Sequence, residues 1–69
     1  MTHQDEIQNI HVNLINGNRR DCVKLIDEYG LYDFWDDYRT FLADVCTDDS
    51  ERFSYFADMT ISYFRIKNR

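Results

Sequence analysis

Four stretches of the chain place apolar residues at helical spacing, and the only two glycines end the first two stretches. The first stretch has apolar character on one face, recurring at intervals of three and four residues. That face consists of Ile7, Ile10, His11, Leu14 and Ile15. Gly17 follows it and Gly30 follows the second stretch, where a residue in the left-handed conformation commonly ends a helix. Proline is absent, so no residue of that type interrupts the helical patterns.

We therefore predict an all-α fold: one small domain, a bundle or array of four short helices at about 4–16, 19–29, 34–46 and 50–66. Asn18, Asp33 and either Asp49 or Ser50 stand where N-caps are expected. Two alternatives stay open. Asn16-Gly17 is also a hairpin signal, and the β-branched and aromatic residues of 59–66 are compatible with a terminal strand.

Eleven aromatic residues lie between Tyr29 and Phe64, and the first 28 residues have none. A core built from four short helices has little room for so many rings, so we expect some of them on a contact surface. For the last helix, the predicted core face is Phe53, Phe56, Ala57, Thr60, Ile61 and Phe64. The predicted partner-binding residues are Tyr32, Trp35, Asp36, Asp37, Tyr38, Tyr55 and Tyr63.

The charge is unevenly distributed along the chain. The formal net charge is −5, while residues 31–58 carry eight acids and two bases, a net charge of −6. An acidic total disfavours general nucleic-acid binding and an anionic membrane surface, because both depend on basic residues. We expect a protein partner with a basic surface, or a second copy of the chain in a homodimer. Residues 1–17 lack the basic start and apolar block of a secretory signal, so we expect a cytoplasmic protein.

No group of residues predicts a metal, a cofactor or an enzyme activity. Asp33, Asp36 and Asp37 suit a helix start better than a Mg²⁺ site. The acids at positions 44, 48, 49 and 51 do not follow the calcium-loop pattern, and the spacings of His3, His11, Cys22 and Cys46 match no zinc motif. Both cysteines fall in apolar helical patterns, which predicts buried free thiols.

Two other binding functions remain as alternatives. Arg19, Arg20 and Lys24 follow a glycine-containing turn between two helices, the outline of a helix-turn-helix DNA binder. Ten of the thirteen acids are Asp, which would suit a DNA mimic that inhibits a DNA-binding protein. In size and charge the chain resembles small acidic accessory proteins of phages and plasmids, a resemblance that implies no particular activity.

Overall fold

The structure, a computed structural model, describes residues 3–68 and places almost all of them in four helices. Helix α1 spans His3–Ile15, α2 spans Arg19–Tyr29, α3 spans Leu31–Val45 and α4 spans Asp49–Lys67. The prediction of a small all-α bundle is confirmed. Both alternatives with strands are wrong for the described residues, since Asn16-Gly17 joins two helices and 59–66 lies inside α4.

Two helix starts differ from the prediction. Gly30 ends α2 and also begins α3, so α3 starts at Leu31 and Asp33 lies in its first turn. The N-cap of α4 is Asp48, one residue before the predicted positions, and its side chain accepts a hydrogen bond from the Ser50 amide at 3.0 Å. Asn18 is the N-cap of α2 as predicted, although its side chain bonds to the Asn13 side chain instead of to the helix.

The core lies where α1 and α4 each pack on both α2 and α3. It contains aliphatic side chains from the first two helices and aromatic ones from the last two. Its buried apolar members are Ile7, Ile10, Leu14, Cys22, Val23, Ile26, Phe34, Tyr38, Phe41, Leu42, Cys46, Met59 and Tyr63. The predicted buried free thiols are confirmed, and burial raises the pKa of Cys22 to about 11.

Polar contacts across the bundle fix α4 against α2. Asp27 of α2 accepts hydrogen bonds from the Tyr63 hydroxyl at 2.7 Å and from Lys67 Nζ at 2.6 Å. At the other end of α2, Arg19 contacts Asp58 at 2.8 Å and donates to the buried Ser62 hydroxyl. The bonds from Lys67 and Tyr63 lower the pKa of Asp27. These contacts lie on the side of α4 that faces inward.

Within residues 3–68, no helix combines the length and the apolar character that crossing a membrane requires.

Candidate functional site

The structure brings three of the seven predicted partner-binding residues together on α3. The Tyr32 ring is 88% exposed, Trp35 is half-buried beside it, and Asp36 is exposed one turn after Tyr32. Trp35 packs against Phe56 of α4, with ring centroids 5.7 Å apart. These residues therefore form a surface at the junction of α3 and α4.

The other four predicted residues lie elsewhere, and the expected surface position is wrong for two of them. Tyr38 has no exposed surface, and Tyr63 is only 5% exposed. Their hydroxyls bond to His11 and Asp27, so partners inside the bundle satisfy the polar groups that suggested exposure. Neither ring is available to a partner in this fold.

Tyr55 and Asp37 face other parts of the bundle. The Tyr55 ring packs edge-on against His11 of α1 at a centroid distance of 4.9 Å. Asp37 accepts a hydrogen bond from the Tyr29 hydroxyl of α2. Neither side chain lies with Tyr32 and Trp35, so the predicted seven-residue site does not exist as one surface.

The inward face of α4 also differs from the prediction. The helix buries Met59, Ser62 and Tyr63, whereas Phe53 is 75%, Ile61 52% and Phe64 47% exposed. The helix has apolar residues on two sides, and the side bearing Tyr63 faces inward, where it also makes the contacts to Asp27 and Arg19. We call the remaining side the outer α4 stripe. It comprises Phe53, Ala57, Thr60, Ile61 and Phe64.

A shallow groove between α3 and α4 continues from the outer α4 stripe to Tyr32. One part, about 240 Å³ in volume, is lined by Arg39, Leu42, Arg52, Phe53 and Phe56. The next part, about 190 Å³, is lined by Tyr32, Trp35, Asp36, Arg39 and Phe56. Because the two parts share Arg39 and Phe56, they form one continuous surface, which we call the α3/α4 groove.

The charges around this groove are mixed. Arg39 pairs with Asp36 at 3.3 Å, with both side chains 77% exposed, and Arg52 pairs with Asp49 and donates to the Cys46 carbonyl at 2.8 Å. Asp33, Asp44, Asp48 and Glu51 are exposed on or next to the same two helices, but they do not line the groove. The groove lining itself holds one acid, Asp36, and two bases, Arg39 and Arg52.

The basic residues after the α1–α2 turn lie beside a separate depression. It has a volume of about 790 Å³, and the bases Arg19, Arg20 and Arg65 line it together with Asp21 and Asp58. Because the Arg19 guanidinium pairs with Asp58, one charge of the proposed DNA-binding triplet is already neutralised. Lys24 is exposed but does not line the depression.

A buried histidine that the sequence placed on the apolar face of α1 has a specific partner. His11 Nδ1 and the Tyr38 hydroxyl lie 2.9 Å apart and share a hydrogen bond. The Phe41 and Tyr55 rings pack against the imidazole in edge-to-face geometry. Burial lowers the pKa of His11 from its usual 6.5. The folded state therefore favours neutral imidazole.

This burial predicts a pH dependence of stability. His11 takes up a proton more readily in the unfolded chain than in the fold, so its contribution is complete above about pH 6.5 and is lost as pH falls through the folded-state pKa. We expect the free energy of unfolding, measured by urea titration, to decrease between about pH 7.5 and pH 5. The lowered pKa of Asp27 has its effect only below about pH 4, outside this range. His11→Gln should flatten the slope, and an equal slope in both proteins would contradict the prediction.

No group of three or more potential metal-ligating side chains is found among the described residues. No family model matches the sequence, and neither a curated protein nor a solved structure shows a significant match. The function is therefore argued from the surface itself.

Proposed function

We propose that the chain is a protein-interaction module that binds a partner through the outer α4 stripe and the adjoining α3/α4 groove. The observation that carries this proposal is the second apolar side of α4, where Phe53 is 75%, Ile61 52% and Phe64 47% exposed. Contiguous exposed apolar surface is uncommon on small monomeric proteins and typically marks a binding site. Aromatic side chains are also the residues most enriched at binding hot spots.

The charge distribution supports a partner with basic groups. Residues 31–58 have a net charge of −6 and supply most of the groove. The net negative charge of the chain, −5, would attract a basic protein over distances of about 10 Å at moderate ionic strength. Covering a partner's surface requires no chemistry, so such a module would act as a regulator or inhibitor by binding alone.

Four ion pairs among residues 3–68 favour this function over a DNA mimic. Asp27, Asp36, Asp49 and Asp58 each pair with a base of the same chain. A mimic of the phosphate backbone needs unneutralised negative charge along one side. The exposed aromatic residues, in contrast, suit a protein surface.

Capture experiments with matched variants test the proposal. Tagged wild-type protein, Phe53→Asp and Tyr32→Ala would be incubated with lysate of the native host, and captured proteins quantified by mass spectrometry. We expect Phe53→Asp to lose at least about ten-fold of a specific partner, because a buried aromatic anchor contributes 2 kcal/mol or more. Tyr32→Ala should lose less.

Val12→Asp is the matched control, since Val12 is 43% exposed on α1 and the substitution adds the same charge. It should capture as much partner as the wild type, provided that circular dichroism shows all variants folded. Equal capture by Phe53→Asp and Val12→Asp would contradict the proposal. A partner with basic groups should also be captured less at about 0.5 M salt than at about 0.1 M.

A further inference from the structure

The outer α4 stripe has the spacing of a helix–helix contact. Phe53, Ala57, Thr60 and Phe64 follow one another at intervals of four, three and four residues, the pattern of the apolar seam in a coiled coil. The Thr60 hydroxyl bonds to the Phe56 carbonyl at 2.8 Å, so this polar group already has a partner within the helix. The seam extends about 16 Å from Phe53 to Phe64.

The order of side-chain sizes along this seam is large, small, small, large, and it reads the same in both directions. If a second copy of α4 lay antiparallel, Phe53 would face Phe64 of that copy and Ala57 would face Thr60. The two small residues in the middle would let the helices approach closely while the rings close both ends. Such self-complementarity is what a two-fold symmetric dimer requires.

The charges at the two ends of α4 distinguish antiparallel from parallel packing. Asp49 and Lys67 are separated by about five helical turns, so both project toward the same flank of the stripe. In an antiparallel pair, Asp49 of one copy would lie beside Lys67 of the other, twice by symmetry. In a parallel two-fold pair the same flank of the two helices lies on opposite sides of the seam, so Asp49 and Lys67 would not meet their counterparts in the other copy.

Asp49 and Lys67 can each form a further ion pair with the other copy. Asp49 is 92% exposed although it pairs with Arg52. Lys67 is 45% exposed and contacts Asp27 at 2.6 Å, and an ammonium group can donate three hydrogen bonds. Asp58, which would approach its own symmetry copy at the opposite flank, is paired with Arg19.

We infer that the outer α4 stripe is the contact surface of a homodimer in which two α4 helices pack antiparallel. This inference rests on the proposed function, because it names the occupant of that surface as a second copy of the chain. The stripe is small compared with a standard interface of about 1,600 Å², so the dissociation constant should be on the order of 10 μM.

Sedimentation equilibrium on the full chain, from about 1 μM to about 500 μM, tests the inference. The wild type should change from the 8.4 kDa monomer to twice that mass. Phe64→Asp should raise the dissociation constant at least about 30-fold, as expected for a hot-spot aromatic residue. Val12→Asp should leave it unchanged.

Two charge reversals in the first turn of α4 test the orientation. Asp49→Lys should raise the dissociation constant about ten-fold, because two attractive contacts become repulsive. Glu51→Lys is the control, because it changes the net charge and the helix-dipole interaction in the same way. Glu51 projects away from the stripe, so this substitution should change the dissociation constant by no more than about three-fold. A parallel dimer would respond equally to both substitutions.

The outcomes separate this inference from the proposed function. A wild-type protein that is monomeric throughout, but captures a host protein in a Phe53-dependent manner, would overturn the homodimer and support the function. A monomer without Phe53-dependent capture would overturn both. A dimer that persists in Phe64→Asp would show that another surface holds the copies together, which also overturns the inference.

Discussion

Tyr38→Ala is expected to lower the free energy of unfolding by about 4 kcal/mol, as is typical when a buried aromatic side chain is removed. The Tyr38 ring has no exposed surface and stacks on Phe34 and Phe56, with centroids 5.2 and 6.2 Å away. Its removal would also leave His11 without a bonding partner. A chain of this length has a total stability on the order of 5 kcal/mol. The variant should therefore keep only about 1 kcal/mol of stability and melt at a much lower temperature than the wild type, as measured by circular dichroism on heating.

Two further tyrosine variants serve as controls for the loss of stability in Tyr38→Ala. Tyr32→Ala makes the same chemical change six residues earlier on the same helix, on a ring that is 88% exposed. It should change stability by no more than about 0.5 kcal/mol. Tyr38→Phe keeps the ring and removes only the hydroxyl, so about 1–2 kcal/mol should be lost. Similar melting temperatures for Tyr38→Ala and Tyr32→Ala would show that Tyr38 is not a core residue.

The comparison between Tyr38 and Tyr32 also shows what the sequence could predict about the site. Both tyrosines were expected on a contact surface because a hydroxyl favours the protein–water boundary. Only Tyr32 is exposed, since the Tyr38 hydroxyl finds His11 on α1, a contact between residues 27 positions apart. Helical spacing describes one element at a time and carries no information about such a partner.

Helix α4 shows the same limit for the core. Its apolar residues satisfy two helical stripes, one containing Phe53 and Phe64 and one containing Met59 and Tyr63. The first stripe was predicted to be the core face of the helix. The second faces inward in the structure, with Met59 and Tyr63 in the core, and Tyr63 and Ser62 also bond to Asp27 and Arg19 of α2. Two apolar stripes on one helix were visible in the sequence, but helical spacing does not tell which of them packs inward.

The helix boundaries were easier to predict than the side of α4 that packs inward, because residues next to each helix end determine where it stops. The ends of α1 and α2 lie within two residues of the predictions, and Gly17 and Gly30 mark both. The start of α3 was placed three residues late, since Asp33 has the residue type of an N-cap. Gly30 takes that role instead, and one residue joins two helices.

Gly30→Ala should destabilise the fold by about 1–3 kcal/mol, the range for a residue held in a sparsely populated backbone conformation. Gly30 has φ 112° and ψ 117°, a region that residues with a Cβ rarely adopt. An added methyl group would meet Asp33 Oδ2 at 3.7 Å, an ordinary contact, so the cost should come from the backbone and not from crowding. Urea unfolding of the variant and the wild type measures this difference.

Gly17→Ala provides the matched control for Gly30, because both glycines join helices and both have positive φ. Gly17 has φ 82°, closer to the left-handed helical region, and an added Cβ meets no atom within 4 Å. Its replacement should cost about 1 kcal/mol, less than the replacement of Gly30. The test is which glycine replacement costs more stability. Gly30 is the single residue between α2 and α3, whereas in the α1–α2 turn Asn16 and Asn18 can also change their backbone angles. A larger loss at Gly17 than at Gly30 would mean that the single-residue junction can relax, and that the α2–α3 angle does not depend on glycine.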